Sequence, residues 1–195
     1  MKNKSRIHYL IVLDESGSMD AIKDTVISSY NEQVEYISKI DTKKRVKVSL
    51  CTFNDTVRMH SWKVAPKALD KLTYLSYRPD SCTALYDAIG MSVERMLEER
   101  IRKDELVLIV FTDGMENASR HYNSFQIDRI LGKLESEGHT IKFVCTEGDV
   151  TAYKTVFQSI DEDCFMSIDY DPGFDAVQDT FEEVTKMLKK KINKD

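Results

Sequence analysis

Asp14-Glu15-Ser16-Gly17-Ser18-Met19 sets one carboxylate and two hydroxyls at alternate positions. Alternate side chains of an extended segment point the same way, so Asp14, Ser16 and Ser18 are expected to converge. Hard oxygens converging on one point suit Mg²⁺ or Ca²⁺. Asp, Ser and Gly ahead of a helix also make an ordinary N-cap, whose side-chain oxygens accept from the orphan N–H groups. This stretch alone leaves a cap and an ion site equally open.

The elements around it narrow the choice. Ile7 to Leu13 is a short apolar run rich in β-branched residues and stopped abruptly by Asp14, the pattern of a buried strand entering a loop. From Ala21 to Lys39, Ile22, Val26, Tyr30, Val34 and Ile37 recur at helical spacing. Val46 to Phe53 is a second strand. Asn54-Asp55 is a candidate hairpin turn, because both residues tolerate positive φ. Thr56 to Val64 returns antiparallel as an exposed edge strand, and a short helix is expected over Ala68 to Leu72. The polar loop Arg78-Pro79-Asp80-Ser81-Cys82-Thr83-Ala84 opens a helix whose apolar face runs from Leu85 to Ile101.

Leu106 to Phe111 is a continuous apolar run, as in parallel strands covered on both faces. It ends in Thr112-Asp113-Gly114-Met115-Glu116-Asn117. A helix over Ser124 to Glu137 capped by Gly138, a strand over Thr140 to Cys145, a helix over Val150 to Ile160, a short strand over Cys164 to Ile168 and a closing helix from Phe174 to Leu188 complete the chain. This alternation predicts an α/β fold: a doubly wound, mostly parallel six-stranded sheet with helices on both faces and one antiparallel edge strand, in a single domain over residues 1–195. With the first strand central, the first and fourth strands are neighbours at the topological switch point. Asp14 and Asp113 then flank one crevice.

Composition excludes some classes. The chain has 195 residues, 42% hydrophobic and 31% charged, with seven Gly and three Pro, ordinary for one globular domain. A net charge of −5 argues against a sequence-independent grip on nucleic acid. No run approaches the roughly 20 apolar residues of a membrane span. The four cysteines, Cys51, Cys82, Cys145 and Cys164, form no C-x-x-C pair, and Cys51 and Cys145 lie in apolar runs. That usage fits reduced thiols in a cytosol.

With three loops in hand, the chain resembles the von Willebrand factor A domain family with a metal-ion-dependent adhesion site. The resemblance rests on Asp14-x-Ser16-x-Ser18, on Thr83 within Ser81-Cys82-Thr83-Ala84-Leu85, and on Asp113 within Thr112-Asp113-Gly114, in the family's order and on the family's elements. It covers Ile7 to Leu188. One departure is Ser81, where the family often has Gly. The resemblance implies a metal site of Asp14, Ser16, Ser18, Thr83 and Asp113. The two serines would bind directly, Thr83 directly or through water, and the carboxylates through water, through the serines, or one of them directly.

Mg²⁺, alternatively Mn²⁺ or Ca²⁺, would be left under-neutralised there and open to a partner's Asp or Glu. The expected function is a non-enzymatic, metal-dependent protein-binding module, without nucleic-acid or membrane partners. It would be cytoplasmic, like stand-alone intracellular bacterial members. The alternative is a Mg²⁺-dependent enzyme on a phosphorylated small molecule, for which Arg78 and Arg120 are the site-proximal cations. It lacks both G-x-x-x-x-G-K-[ST] and G-x-G-x-x-G, and His121 beside the Asp113 loop forms no obvious base–nucleophile pair.

Overall fold

The computed structural model describes residues 6–39, 45–100, 104–168 and 186. The expected closing helix, Lys189-Lys190-Lys191 after it and Ile101 lie outside those residues, Lys186 apart. Ten elements alternate: β1 (Arg6–Asp14), α1 (Lys23–Lys39), β2 (Arg45–Phe53), β3 (Val57–Val64), α2 (Leu85–Glu98), β4 (Glu105–Phe111), α3 (Ser124–Ser136), β5 (Thr140–Thr146), α4 (Glu147–Val156) and β6 (Phe165–Ile168). The strands form one six-stranded sheet in the order β3-β2-β1-β4-β5-β6. All neighbours are parallel except β2 and β3.

Period-two alternation in the central strands divides the core in two. Tyr9, Ile11 and Leu13 of β1, with Val107 and Ile109 of β4, pack against Val26, Tyr30 and Val34 of α1. Leu10, Val12, Leu108 and Val110 point the other way, onto Leu85, Ile89 and Val93 of α2 and Ile127 and Leu131 of α3. Burial of each such side chain stabilises the fold by about 1.5–3 kcal/mol. Covered on both faces, β1 and β4 read as continuous apolar runs, and their adjacency sets Leu13 opposite Phe111. The ends of both strands therefore open at one level, where the chain reverses its direction along the sheet.

Local departures from the sequence reading have local causes. The segment after β1 is a 3₁₀ turn, Gly17–Ile22, before α1 proper begins at Lys23. The expected helix over Ala68 to Leu72 is a single 3₁₀ turn, Pro66–Ala68; Leu69 and Leu72 are buried but not helical. Pro66 starts the turn, where its missing N–H costs nothing. Asn54 and Asp55 take no positive φ. Instead the Asn54 carboxamide oxygen accepts from the Thr56 N–H and hydroxyl, both at 3.0 Å, and closes the hairpin as an Asx turn. Helix α4 starts earlier than expected, because Thr146 Oγ1 caps the N–H of Asp149. It ends at Val156, and the apolar Phe157 and Ile160 pack from beyond it. Gly138 caps α3 in the left-handed region, φ 81°.

Gly90 on α2 lets the loop after β4 lie close. A Cβ there would fall 2.5 Å from ring atoms of Tyr122. Helix propensity favours Ala over Gly by about 1 kcal/mol, but overpacking of this kind costs about 1–3 kcal/mol. Gly90→Ala is therefore expected to lower the thermal midpoint. A midpoint raised by the substitution would mean that Tyr122 moves aside freely.

Candidate metal centre

β1 delivers Asp14 fully buried at its carboxyl end. Asp14 Oδ1 accepts from the backbone N–H of Ser16 at 2.7 Å, and Oδ2 accepts from the Thr112 hydroxyl at 2.5 Å. Thr112 is the first residue past β4, so one carboxylate links the two central strands. The hydroxyls of Ser16 and Ser18 lie 3.3 Å apart, and Ser18 Oγ donates to Asp113 Oδ1 at 2.6 Å. Ser16 stands at the N-cap position of the 3₁₀ turn, yet its side chain makes no cap hydrogen bond. The serine hydroxyls face one another and Asp113, not the orphan N–H groups. They converge without the extended loop expected from their spacing. The chain turns at Gly17, and the buried Met19 side chain anchors the turn in the core beneath.

Thr83 comes from a different loop, held by backbone. Gly17 N–H donates to Ser81 O at 3.1 Å and Asp80 N–H to Glu15 O at 3.0 Å. Thr83 N–H donates to the Asn117 side chain at 2.9 Å, and the N–H groups of Asn117 and Ala118 return to Thr83 O at 3.0 and 3.2 Å. Gly114 shows where these loops meet. A Cβ on it would lie 3.5 Å from Ser18 Oγ and 3.7 Å from Thr83 Oγ1. Both hydroxyls border a small space that exists because residue 114 has no side chain. All five residues expected from the sequence are thus brought to one crevice.

The donor set suits a hard divalent cation. Neighbouring oxygens around octahedral Mg²⁺ are about 3.0 Å apart, given ligand distances near 2.1 Å. The observed oxygen separations of 3.3 and 2.6 Å bracket that value. Burial pushes the Asp14 carboxyl up to about 6; hydrogen bonds from Thr112 and Ser16 oppose the rise and the charge of Asp113 adds to it. Among the described residues no Lys or Arg forms an ion pair with Asp14.

Other acids near the crevice are occupied. Buried Glu15 accepts from the Arg78 N–H at 2.5 Å and from Arg58 Nη1 at 3.2 Å. Asp87 accepts from the backbone N–H groups of Arg120, His121 and Tyr122, each at 2.9 Å. Glu116 accepts from Tyr86, Ala118 and Ser119. Sequence reasoning gave no role to Thr112, Asn117, Asp87 or Glu116, which place the site residues. The available signal was their position in the loop after β4 and in the first turn of α2. Arg78, Arg120 and His121 are exposed. A groove of about 610 Å³ lined by Glu35, Lys39, Lys67 and Lys71 includes none of the five crevice residues. Among the thiols only Cys82, beside Thr83, is exposed; burial pushes Cys51 up to about 12.

Residues 9–116 match the model of the von Willebrand factor type A domain. The chain belongs to this family. Solved structures of the same fold include the von Willebrand factor domain of the type V pilus tip protein Mfa5 from Porphyromonas gingivalis. It has a TM-score of 0.71 at 11% identity, with 98% of each chain covered. The pilus adhesin SpaC from Lactobacillus rhamnosus GG, in its open conformation, aligns at 0.72 and 14% identity over 98% of this chain and 31% of its own. The PilB minor pilin from Streptococcus sanguinis aligns at 0.63 and 12% identity over 98% of this chain. The chain spans 63% of that pilin's length. No curated protein sequence matches the chain.

Two measurements test the local chemistry. Ser81 holds φ at 69°, the left-handed conformation in which the family's Gly is unstrained. A side chain there costs about 1–2 kcal/mol, partly offset by the entropy of an unfolded Gly. Ser81→Gly is therefore expected to raise the thermal midpoint by about 1–3 °C; a decrease would mean that the Ser81 side chain stabilises the loop. For Asp14, the folded value near 6 exceeds the ordinary 3.8, so between these pH values the folded chain keeps a proton that the unfolded chain has lost. In EDTA, stability should fall as pH rises through that window. Asp14→Asn should remove that part of the slope in urea titrations.

Proposed function

We propose that the chain is a metal-dependent protein-binding module. Asp14, Ser16, Ser18, Thr83 and Asp113 would hold a divalent cation, Mg²⁺ ahead of Mn²⁺ or Ca²⁺, and a partner protein would bind through an Asp or Glu carboxylate. The observation that carries this reading is the meeting of the Ser16, Ser18 and Thr83 hydroxyls with Asp113 around the side-chain-free Gly114, beside a buried Asp14 that no Lys or Arg among the described residues pairs with. The cation supplies positive charge and a coordination position that an incoming carboxylate completes. The chain's own residues do the rest. Thr112 and the Ser16 N–H orient Asp14, and Asn117 sets Thr83.

Binding is preferred to catalysis because the crevice holds no base–nucleophile pair among the described residues. Neighbours of the same fold are also named as a pilus adhesin and a pilus tip protein. The cytoplasmic assignment stays part of the proposal, resting on the reduced-thiol usage. No described helix is long and apolar enough to cross a membrane.

A saturating ligand at 100 times its Kd adds about 2.7 kcal/mol to stability. Mg²⁺ at pH 7.5 is therefore expected to raise the thermal midpoint by several degrees. The Ser16→Ala, Ser18→Ala double variant should lose this shift and keep its midpoint in EDTA, since the Ser16 hydroxyl caps no helix and neither residue belongs to the apolar core. A parent midpoint indifferent to Mg²⁺, Mn²⁺ and Ca²⁺ would overturn the metal site, as would a double variant that unfolds in EDTA where the parent is folded.

A further inference from the structure

The end of the sheet opposite the crevice holds a buried polar pair that the proposed function does not use. His8 lies near the start of β1, six residues before Asp14 and about 20 Å from it at 3.3 Å per residue. His8 is 5% exposed, and Asp104, just ahead of β4, is 6% exposed. His8 Nε2 lies 3.1 Å from Asp104 Oδ2, a contact between positions 96 residues apart. The other carboxylate oxygen of Asp104 accepts from Arg6 Nε at 3.3 Å. His8 Nδ1 is buried and meets no hydrogen-bond partner among the described residues.

These contacts fix the state of the ring. An ionised carboxylate only accepts, so Nε2 carries the hydrogen and donates it, and Nδ1 is left as a bare lone pair. A further proton must go to Nδ1. It would create a buried N–H donor without an acceptor, which is costly inside a protein. The surroundings also oppose the added charge. Arg6 stands two residues away on the same face of β1, Lys47 is the register partner of His8 on β2, and Lys63 of β3 repels a positive ring. Lys63 is itself paired with Glu99, just past α2, at 3.1 Å. Leu106, the register partner on β4, is apolar, and its N–H donates to His139 Nδ1 at 3.3 Å. Asp104 attracts the charge, but Arg6 already shares it. Burial outweighs that attraction and holds the imidazole below its ordinary 6.5.

We propose that His8 is an acid-sensitive latch of the sheet: uptake of a solvent proton at Nδ1 weakens the tie between β1 and the segment leading into β4 and destabilises the fold. The unfolded chain takes up this proton below about 6.5, and the folded chain resists it. The contribution of His8 is therefore present in full above 6.5 and is lost as the pH falls through that value. Asp14 has the opposite sign, because its folded value lies above its ordinary one. Two buried groups at the two ends of β1 thus answer acid in opposite directions. The latch belongs to the fold and holds whether or not the crevice takes a cation.

Two measurements on the full chain in EDTA test the latch. The first follows the assigned His8 ring of the parent by proton–nitrogen NMR from pH 7.5 to 5.0. The ring is expected to carry its hydrogen on Nε2 at pH 7.5 and to titrate with a midpoint below 6.5. A midpoint at or above 6.5, or a hydrogen on Nδ1 at pH 7.5, would overturn the proposal. The second compares urea unfolding of the parent and His8→Gln over the same range. The Gln carboxamide N–H can still donate to Asp104 but takes up no proton. Asp14 and the other three histidines are common to both chains, so the ratio of unfolding constants isolates His8. Between pH 7.5 and 5.0 the parent constant is expected to grow relative to the variant by up to about 30-fold, the limit for a group of ordinary value 6.5 that stays neutral when folded. A ratio that does not change with pH would remove the latch. Should His8→Gln fail to fold, the titration of the parent decides alone.

Discussion

The hydrogen bond from the Thr112 hydroxyl to the buried carboxylate of Asp14 joins positions 98 residues apart. Removing a carboxylate from water disfavours its charged form, and only groups that reach it in the interior compensate. Here those groups are a hydroxyl from the end of β4 and the N–H of Ser16. Asp14 can therefore keep its place only while β1 and β4 run side by side and stop at the same level. That pairing is the central feature of the sheet. The crevice and the core are in this sense one construction: the apolar alternation that packs Leu13 and Phe111 also delivers Asp14 and Thr112 to each other.

Around this link the loops are held mostly by backbone amides donating to side-chain acceptors. Asp87 in the first turn of α2 gathers three consecutive N–H groups from residues 120–122, and Glu116 folds its own loop back on Ser119. The Asn117 carboxamide fixes the backbone of Thr83. Such bonds place a side chain more closely than loop length alone can, because each satisfies a polar group that would otherwise be left unpaired beneath the surface. The result is a site made of loops but positioned with the rigidity of the sheet.

Much of this arrangement was visible in the residues. The apolar runs of β1 and β4, the helical stripes and the polar stops between them were enough for the sheet order and for the meeting of Asp14 with Asp113. Features set by distant partners were not. Nothing local marks Thr112 as the partner of Asp14 or Asn117 as the clamp on Thr83, since those bonds span 98 and 34 residues. Local competition explains other departures. The Asn54 side chain closed its turn without positive φ, and Thr146 started α4 three residues before the apolar periodicity indicated. Ser81 is the reverse case. The departure from Gly was plain in the sequence, yet the backbone keeps the left-handed conformation and accepts the side chain.

The acids around the crevice fall into two groups, and the division bears on what the site can do. Glu15, Asp87 and Glu116 are neutralised by an arginine or by converging backbone amides. They act as struts, and added positive charge has little to offer them. Asp14 is placed differently: its carboxylate meets the Thr112 hydroxyl, no described Lys or Arg pairs with it, and the charge of Asp113 helps push it upward. The two carboxylates repel at neutral pH, and the charge of Asp113 raises the proton affinity of Asp14. Protonation relieves that repulsion in acid. In the proposed function a divalent cation would give the same relief at neutral pH and would attract a third carboxylate from outside. The burial that raises the Asp14 carboxyl would then be what makes the proposed site responsive to a partner.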